Sequence, residues 1–200
     1  MVNAWKRSRR SPSISASTNK RYARNVDLIH IVDAALAEAA RKAGPWLVCR
    51  PGCAECCIGS FEISQLDAER LRTGLAELAA RDPLRAGRIV ERAKRFAQLP
   101  EDEADETACP ALDPHSQTCE LYESRPLTCR LFGPPFRGAS GAIGVCELCF
   151  HGASEEEIAA CEMKLDAAML SQLEYDCDET TVAEALLAGR SQAFLSSSPE

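Results

Sequence analysis

Apolar residues first settle into a rhythm at Asn25. From there Val26, Ile29, Ile31, Ala34, Leu36 and Ala40 return every three to four positions, and the run closes on Gly44-Pro45. That spacing predicts an amphipathic helix with a glycine-proline stop. A polar, Gly- and Pro-punctuated loop follows. Ser64 then offers a side-chain oxygen to the free amides of a second helix through about Ala80, with Leu66, Leu71, Leu75 and Leu78 on or near one face. Asp82-Pro83 reads as a cap with proline at the first helical position, opening a third helix to about Leu99 along Ile89, Val90, Ala93, Phe96 and Ala97.

Periodicity then fails. Glu101 to Glu106 reads as a solvated acidic loop, and Thr107 to Gly152 is rich in Cys, Pro and Gly with no long period. So long an irregular stretch is anomalous in a compact domain unless something other than secondary structure organises it. Helical signals return at Ser154, where a capping hydroxyl precedes Glu155-Glu156-Glu157 and both complement the positive helix end. This predicts a helix to about Tyr175, and a shorter one from Thr180 to Ala188. Only Ala142 to Val145 hints at a strand, and there is no internal repeat. The expectation is a mainly α single domain of about five helices with irregular cysteine-rich loops, spanning 25–189 between disordered tails at 1–24 and 190–200.

Charge refines this picture. The formal net charge of −7 is unevenly spread: Lys6, Arg7, Arg9, Arg10, Lys20, Arg21 and Arg24 lie in a leader without acids, leaving the remainder near −14. An acidic body repels phosphate backbones, so nucleic acid is an unfavourable partner. No stretch approaches the roughly 20 apolar residues of a membrane span, and no apolar signal segment opens the chain, so the expected location is cytoplasmic.

The chemistry lies in the cysteines. Nine of eleven fall into two dense groups, Cys49, Cys53, Cys56 and Cys57, then Cys109, Cys119, Cys129, Cys146 and Cys149. Thiols are soft ligands that select zinc, iron–sulfur clusters or copper(I), and in a reducing compartment grouped cysteines point to metal, not disulfides. Two-residue gaps bring two sulfurs within reach of one ion, as in Cys53-x2-Cys56 and Cys146-x2-Cys149. Vicinal side chains diverge in helical or extended backbone, so Cys56 and Cys57 are expected to serve different metals or different irons of a cluster. Two four-coordinate sites need fewer ligands than nine thiols plus His151 supply; Cys49, Cys149 and His151 are the least secure by position. His115 and His30 read as surface histidines, and Cys161 and Cys177 as small buried hydrophobes. Arg125 and Arg130 flank thiolates, and their guanidinium groups can offset thiolate charge or bond sulfur and nearby carbonyls. Tyr122 and Phe132 are expected to shield the site from water.

Cys53-x2-Cys56-Cys57, then Cys109-Pro110-x-Leu112, then Cys119-x2-Tyr122-x2-Arg125-Pro126-x2-Cys129-Arg130-x-Phe132 resembles the YkgJ-like cysteine-cluster family, described as a zinc- or iron-chelating domain, over roughly Val48 to Cys149. The chain departs from the commonest pattern in having Ala54-Glu55 between Cys53 and Cys56 and a three-residue gap after Cys49. The resemblance implies a metal-binding domain, and members related to flagellin lysine methylases look like iron–sulfur proteins. The thiol count and vicinal pair tilt the reading toward an iron–sulfur cluster, with closed tetrahedral zinc sites as the alternative. The leading function is electron transfer, metal handling or a structural module, with metal ions as partners and room for a protein partner. A metal-dependent peptide- or protein-modifying enzyme, such as a lysine N-methylase-like protein, is the alternative. Against it, the sequence offers no glycine-rich nucleotide loop, no βαβ pattern and no nucleophile–base pair.

Overall fold

The computed structural model describes residues 16–138, 141–165 and 179–188. Among these, seven α-helices dominate, joined by short two-stranded ribbons. Helix α1 covers Ala16–Ala43. It therefore begins inside the stretch expected to be a disordered basic tail. Helix α2 is Gln65–Arg81 and α3 is Pro83–Phe96. Both start where their caps demand: Ser64 Oγ accepts from Asp67 N, and the Asp82 carboxylate accepts from Arg85 N with Pro83 at the first position.

The core is a layer of α2, α3 and α7, the last spanning Val182–Ala188. Leu71, Ile89 and Leu186 are buried completely, each a gain of about 1.5–3 kcal/mol relative to exposure. Strand β1 (Glu62–Ser64) pairs antiparallel with β6 (Glu179–Thr181), Ile63 opposite Thr180, so the entries to α2 and α7 lie side by side. Thr181 and Glu184 cap α7 reciprocally: Glu184 N donates to Thr181 Oγ1 at 3.2 Å and Thr181 N to the Glu184 carboxylate at 3.0 Å. Ala111 and Leu121 join this core, and Cys109 and Cys119 pack against it.

Three expectations need correction. The acidic stretch is a short helix, α4 (Glu101–Asp105), because three acids in its first turn complement the helix dipole after Pro100. Helix α6 starts at the expected capping box of Ser154 and Glu157 but covers only Glu155–Ala160. It stops because Met163 N donates to the Pro135 carbonyl at 2.7 Å and the Met163 side chain is buried. Residues 166–175 of the expected helix lie outside the described residues, as do Cys177 and the tail at 190–200. Finally, Thr180 lies within β6, and the last helix starts two residues later, at Val182. Irregular as the sequence looked, it also contains hairpins: β2 (Leu112–Asp113) with β3 (Thr118–Cys119), and β4 (Phe136–Arg137) with β5 (Ile143–Gly144). The strand hinted at near Ala142–Val145 is β5.

Candidate metal centre

The cysteine loops are fastened to each other by backbone bonds. Cys109 N donates to Cys57 O at 2.7 Å and Gly59 N to Thr107 O at 2.9 Å, laying the segment after Cys57 along the one before Cys109. Leu112 pairs with Cys119 across the β2–β3 hairpin, and Leu112 N donates to Cys109 O at 2.9 Å, so Cys109 and Cys119 approach from one side. Cys129 arrives on helix α5 (Leu127–Arg130). Elsewhere, Phe150 N donates to Trp46 O at 3.1 Å and Cys149 N to Cys146 O at 2.9 Å, bringing the Cys146–Cys149 turn against the chain leading to Cys49.

Thiols accordingly fall into two neighbourhoods. Cys49 adjoins Cys149, with Cys146 and Cys53 close enough to act on it; although the residue is exposed, partial desolvation of its thiol first, then Cys149, pushes it up to about 12. Burial and Cys149 also raise Cys146. The second neighbourhood holds Cys56, Cys57, Cys109, Cys119 and Cys129. A hydrogen bond from Cys57 lowers the Cys56 thiol to about 6, assisted by Arg125, while the same pairing and burial raise Cys57. Burial lifts Cys109 to about 11 and Cys129 to about 12, and raises Cys119. Cys56 and Cys57 sit together on a 3-10 turn, Glu55–Cys57, where each thiol shifts the other. All the described cysteines are unpaired thiols. As they stand, no three His, Cys, Asp or Glu side chains among the described residues form a set that would hold an ion, so closing either neighbourhood on a metal requires cysteine side chains to rotate. His30, His115 and His151 are exposed.

Around the second neighbourhood the expected arginines take different parts. Arg125 favours the charged form of Cys56, Cys119 and Cys129, and its guanidinium lies 4.0 Å over the ring of Tyr122. Its Nε is buried without a hydrogen-bond partner. Arg130, 5% exposed, is a brace: Nη1 donates to both Asp33 carboxylate oxygens at 2.6 Å, Nη2 to Glu123 O at 2.7 Å and Nε to Arg125 O at 3.2 Å. It ties α1 to the turn before α5. Tyr122 is 54% exposed, and Phe132, 43% exposed, meets Phe61 edge-on with centroids 6.4 Å apart.

Sequence reasoning missed several supporting residues. Asp67 is buried; it accepts from Leu127 N at 3.2 Å and Arg70 Nη1 at 2.6 Å, and so caps the helix that carries Cys129 from sixty residues away. Its sequence signal, Ser64-x-x-Asp67, points only to the start of α2. Glu120 takes Arg85 Nε at 2.5 Å and Arg92 Nη2, while Arg92 Nε holds the Pro110 carbonyl at 2.8 Å. This pins the Cys109 and Cys119 segments to α3. Gly133, at φ +116°, has its open side 3.4 Å from Cys49 Sγ.

A family model described as "Putative zinc- or iron-chelating domain", with the signature CxxCxxCC, matches residues 48–162. More than half of the chain is covered, and the protein belongs to this family of zinc- or iron-chelating domains. No curated protein and no solved structure matches the chain. No helix among the described residues is long and apolar enough to cross a membrane.

Proposed function

We propose that this protein is a metal-binding module that holds an iron–sulfur cluster or zinc through Cys49, Cys53, Cys56, Cys57, Cys109, Cys119, Cys129, Cys146 and Cys149, and serves in electron transfer, metal handling or as a structural module. The observation that supports this reading is the approach of three thiols from three distant segments, Cys56, Cys119 and Cys129, to Arg125, whose buried Nε has no partner. A buried donor without an acceptor costs about 1–3 kcal/mol, and a thiolate or sulfide sulfur is the acceptor these surroundings would supply. The donor set suits the family's metals, since soft thiolates select zinc and iron. Bound there, such a centre would supply either one-electron redox chemistry or a rigid crosslink between loops. The chain's own residues do the positioning: Asp67 through α5, Glu120 and Arg92 through the hairpin, Arg130 through α1.

Iron–sulfur is the preferred occupant, on thiol number and on the positive charge that Arg125 sets beside the second neighbourhood. The test is anaerobic purification followed by visible absorption and iron, sulfide and zinc counts per chain. Iron with sulfide and broad visible absorbance is expected. Colourless protein holding zinc would replace the cluster with a structural module, and protein that takes up neither metal would defeat the proposal.

A further inference from the structure

Resting on that reading, we infer that the chain carries two centres that load separately, Cys49, Cys53, Cys146 and Cys149 forming one and Cys56, Cys57, Cys109, Cys119 and Cys129 the other. The division follows from two different scaffolds. The first set hangs on the bond from Phe150 N to Trp46 O, the Cys146–Cys149 turn and the turn in which Cys53 N donates to Arg50 O at 2.9 Å. Cys146 and Cys149 pack with Ala43, Trp46, Leu47, Phe150 and Cys161, a cluster separate from the main core. The second set hangs on the backbone bond from Cys109 N to Cys57 O, the β2–β3 hairpin and α5, and its Cys109 and Cys119 pack on the α2–α3–α7 core.

Along the chain the sets are joined at two places, by Ala54-Glu55 and by the segment from Arg130 to Val145. Between Cys53 and Cys56 the backbone turns, Cys57 N donating to Ala54 O at 2.8 Å; Cys53 acts on Cys49 and Cys146, whereas Cys56 acts on Cys57, Cys119 and Cys129. The strongest thiol neighbours of Cys49 and Cys146 all lie in the first set, and those of Cys57, Cys109 and Cys129 all lie in the second. The sets also differ chemically. Four thiols match one closed four-coordinate ion, and Cys49 is exposed. Five thiols exceed that need, and Arg125 stands only at the second set. Metal in one set therefore leaves the backbone frame of the other intact.

The experiment is titration of the full-length, reduced, metal-stripped chain with cobalt(II), reading thiolate–cobalt charge-transfer and ligand-field absorption together with bound cobalt per chain. Cys49→Ser and Cys146→Ser should each remove the same part of the signal, about one ion per chain, and leave the rest. Cys119→Ser and Cys129→Ser should remove the complementary part. Circular dichroism checks folding; if the variants next to the main core do not fold, Cys49→Ser at its exposed position carries the test alone. A single substitution that abolishes all cobalt in a folded chain overturns the inference, as does wild-type protein that saturates with one ion. Wild-type protein that binds no cobalt and no iron defeats the metal reading itself, a distinguishable failure.

Discussion

Replacing Arg125 with Met should act in opposite directions on the metal-free and metal-loaded protein. In the metal-free chain the substitution removes a buried Nε–H that has no acceptor, a relief of about 1–3 kcal/mol. It also removes the stack on Tyr122, whose ring is more than half exposed; such a contact is worth about 0.5–1 kcal/mol. The relief equals or exceeds the loss, so Arg125→Met should leave metal-free stability unchanged or raise it by up to about 2.5 kcal/mol. In the loaded protein the same change deletes a charge-assisted donor to sulfur, about 1.5–3 kcal/mol, or roughly ten- to hundredfold in metal retention. Arg125→Lys keeps the charge without the fixed Nε donor and should fall between. Urea unfolding of stripped protein and chelator competition on loaded protein read the two quantities separately. A metal-free variant destabilised by more than about 2 kcal/mol, with metal retention unchanged, would refute the reasoning and make Arg125 a structural peg.

Gly74→Ala places a methyl 2.1 Å from Ser124 Oγ and 2.5 Å from Ser124 Cβ. The helix-propensity gain of about 1 kcal/mol loses to overpacking of about 1–3 kcal/mol, so stability should fall and Ser124→Gly should restore it in thermal melts. Asp67→Ala breaks a buried pair and uncaps α5; Arg70 keeps the Arg125 carbonyl, so a loss near the low end of about 3–5 kcal/mol is expected, with weaker metal retention, and an unchanged melt would contradict this. The Glu162 carboxyl is held below its ordinary value by Arg137 and then Lys164. A depressed folded pKa gives stability that is present above the unfolded value and lost as pH falls through the folded one. Both cations are largely exposed, limiting the effect to under about 1 kcal/mol. Melts of wild type and Glu162→Gln should therefore differ at pH 7 and converge in acid below the ordinary glutamate range, whereas a gap independent of pH would count against the ion pair.

Local chemistry wrote the starts of α2, α3 and α6 into the chain, because a cap and its target amides lie within three residues: Ser64 with Asp67, Asp82 with Arg85, Ser154 with Glu157. The cysteine spacing and the Tyr122–Arg125–Cys129–Arg130 segment likewise announced metal-binding chemistry and the family, since thiol softness is a property of the residue itself. Tertiary structure decided where α6 ends, because the Met163 amide is claimed by Pro135, far along the chain. It also revealed Asp67 as the cap of α5 across sixty residues, where the sequence shows only the start of α2. Most of all it decided which thiols keep company. Cys53 and Cys56 are near neighbours in sequence yet act on different thiols, because the Ala54–Cys57 turn, the Trp46–Phe150 bond and the β2–β3 hairpin are long-range or conformational facts that residue spacing does not encode.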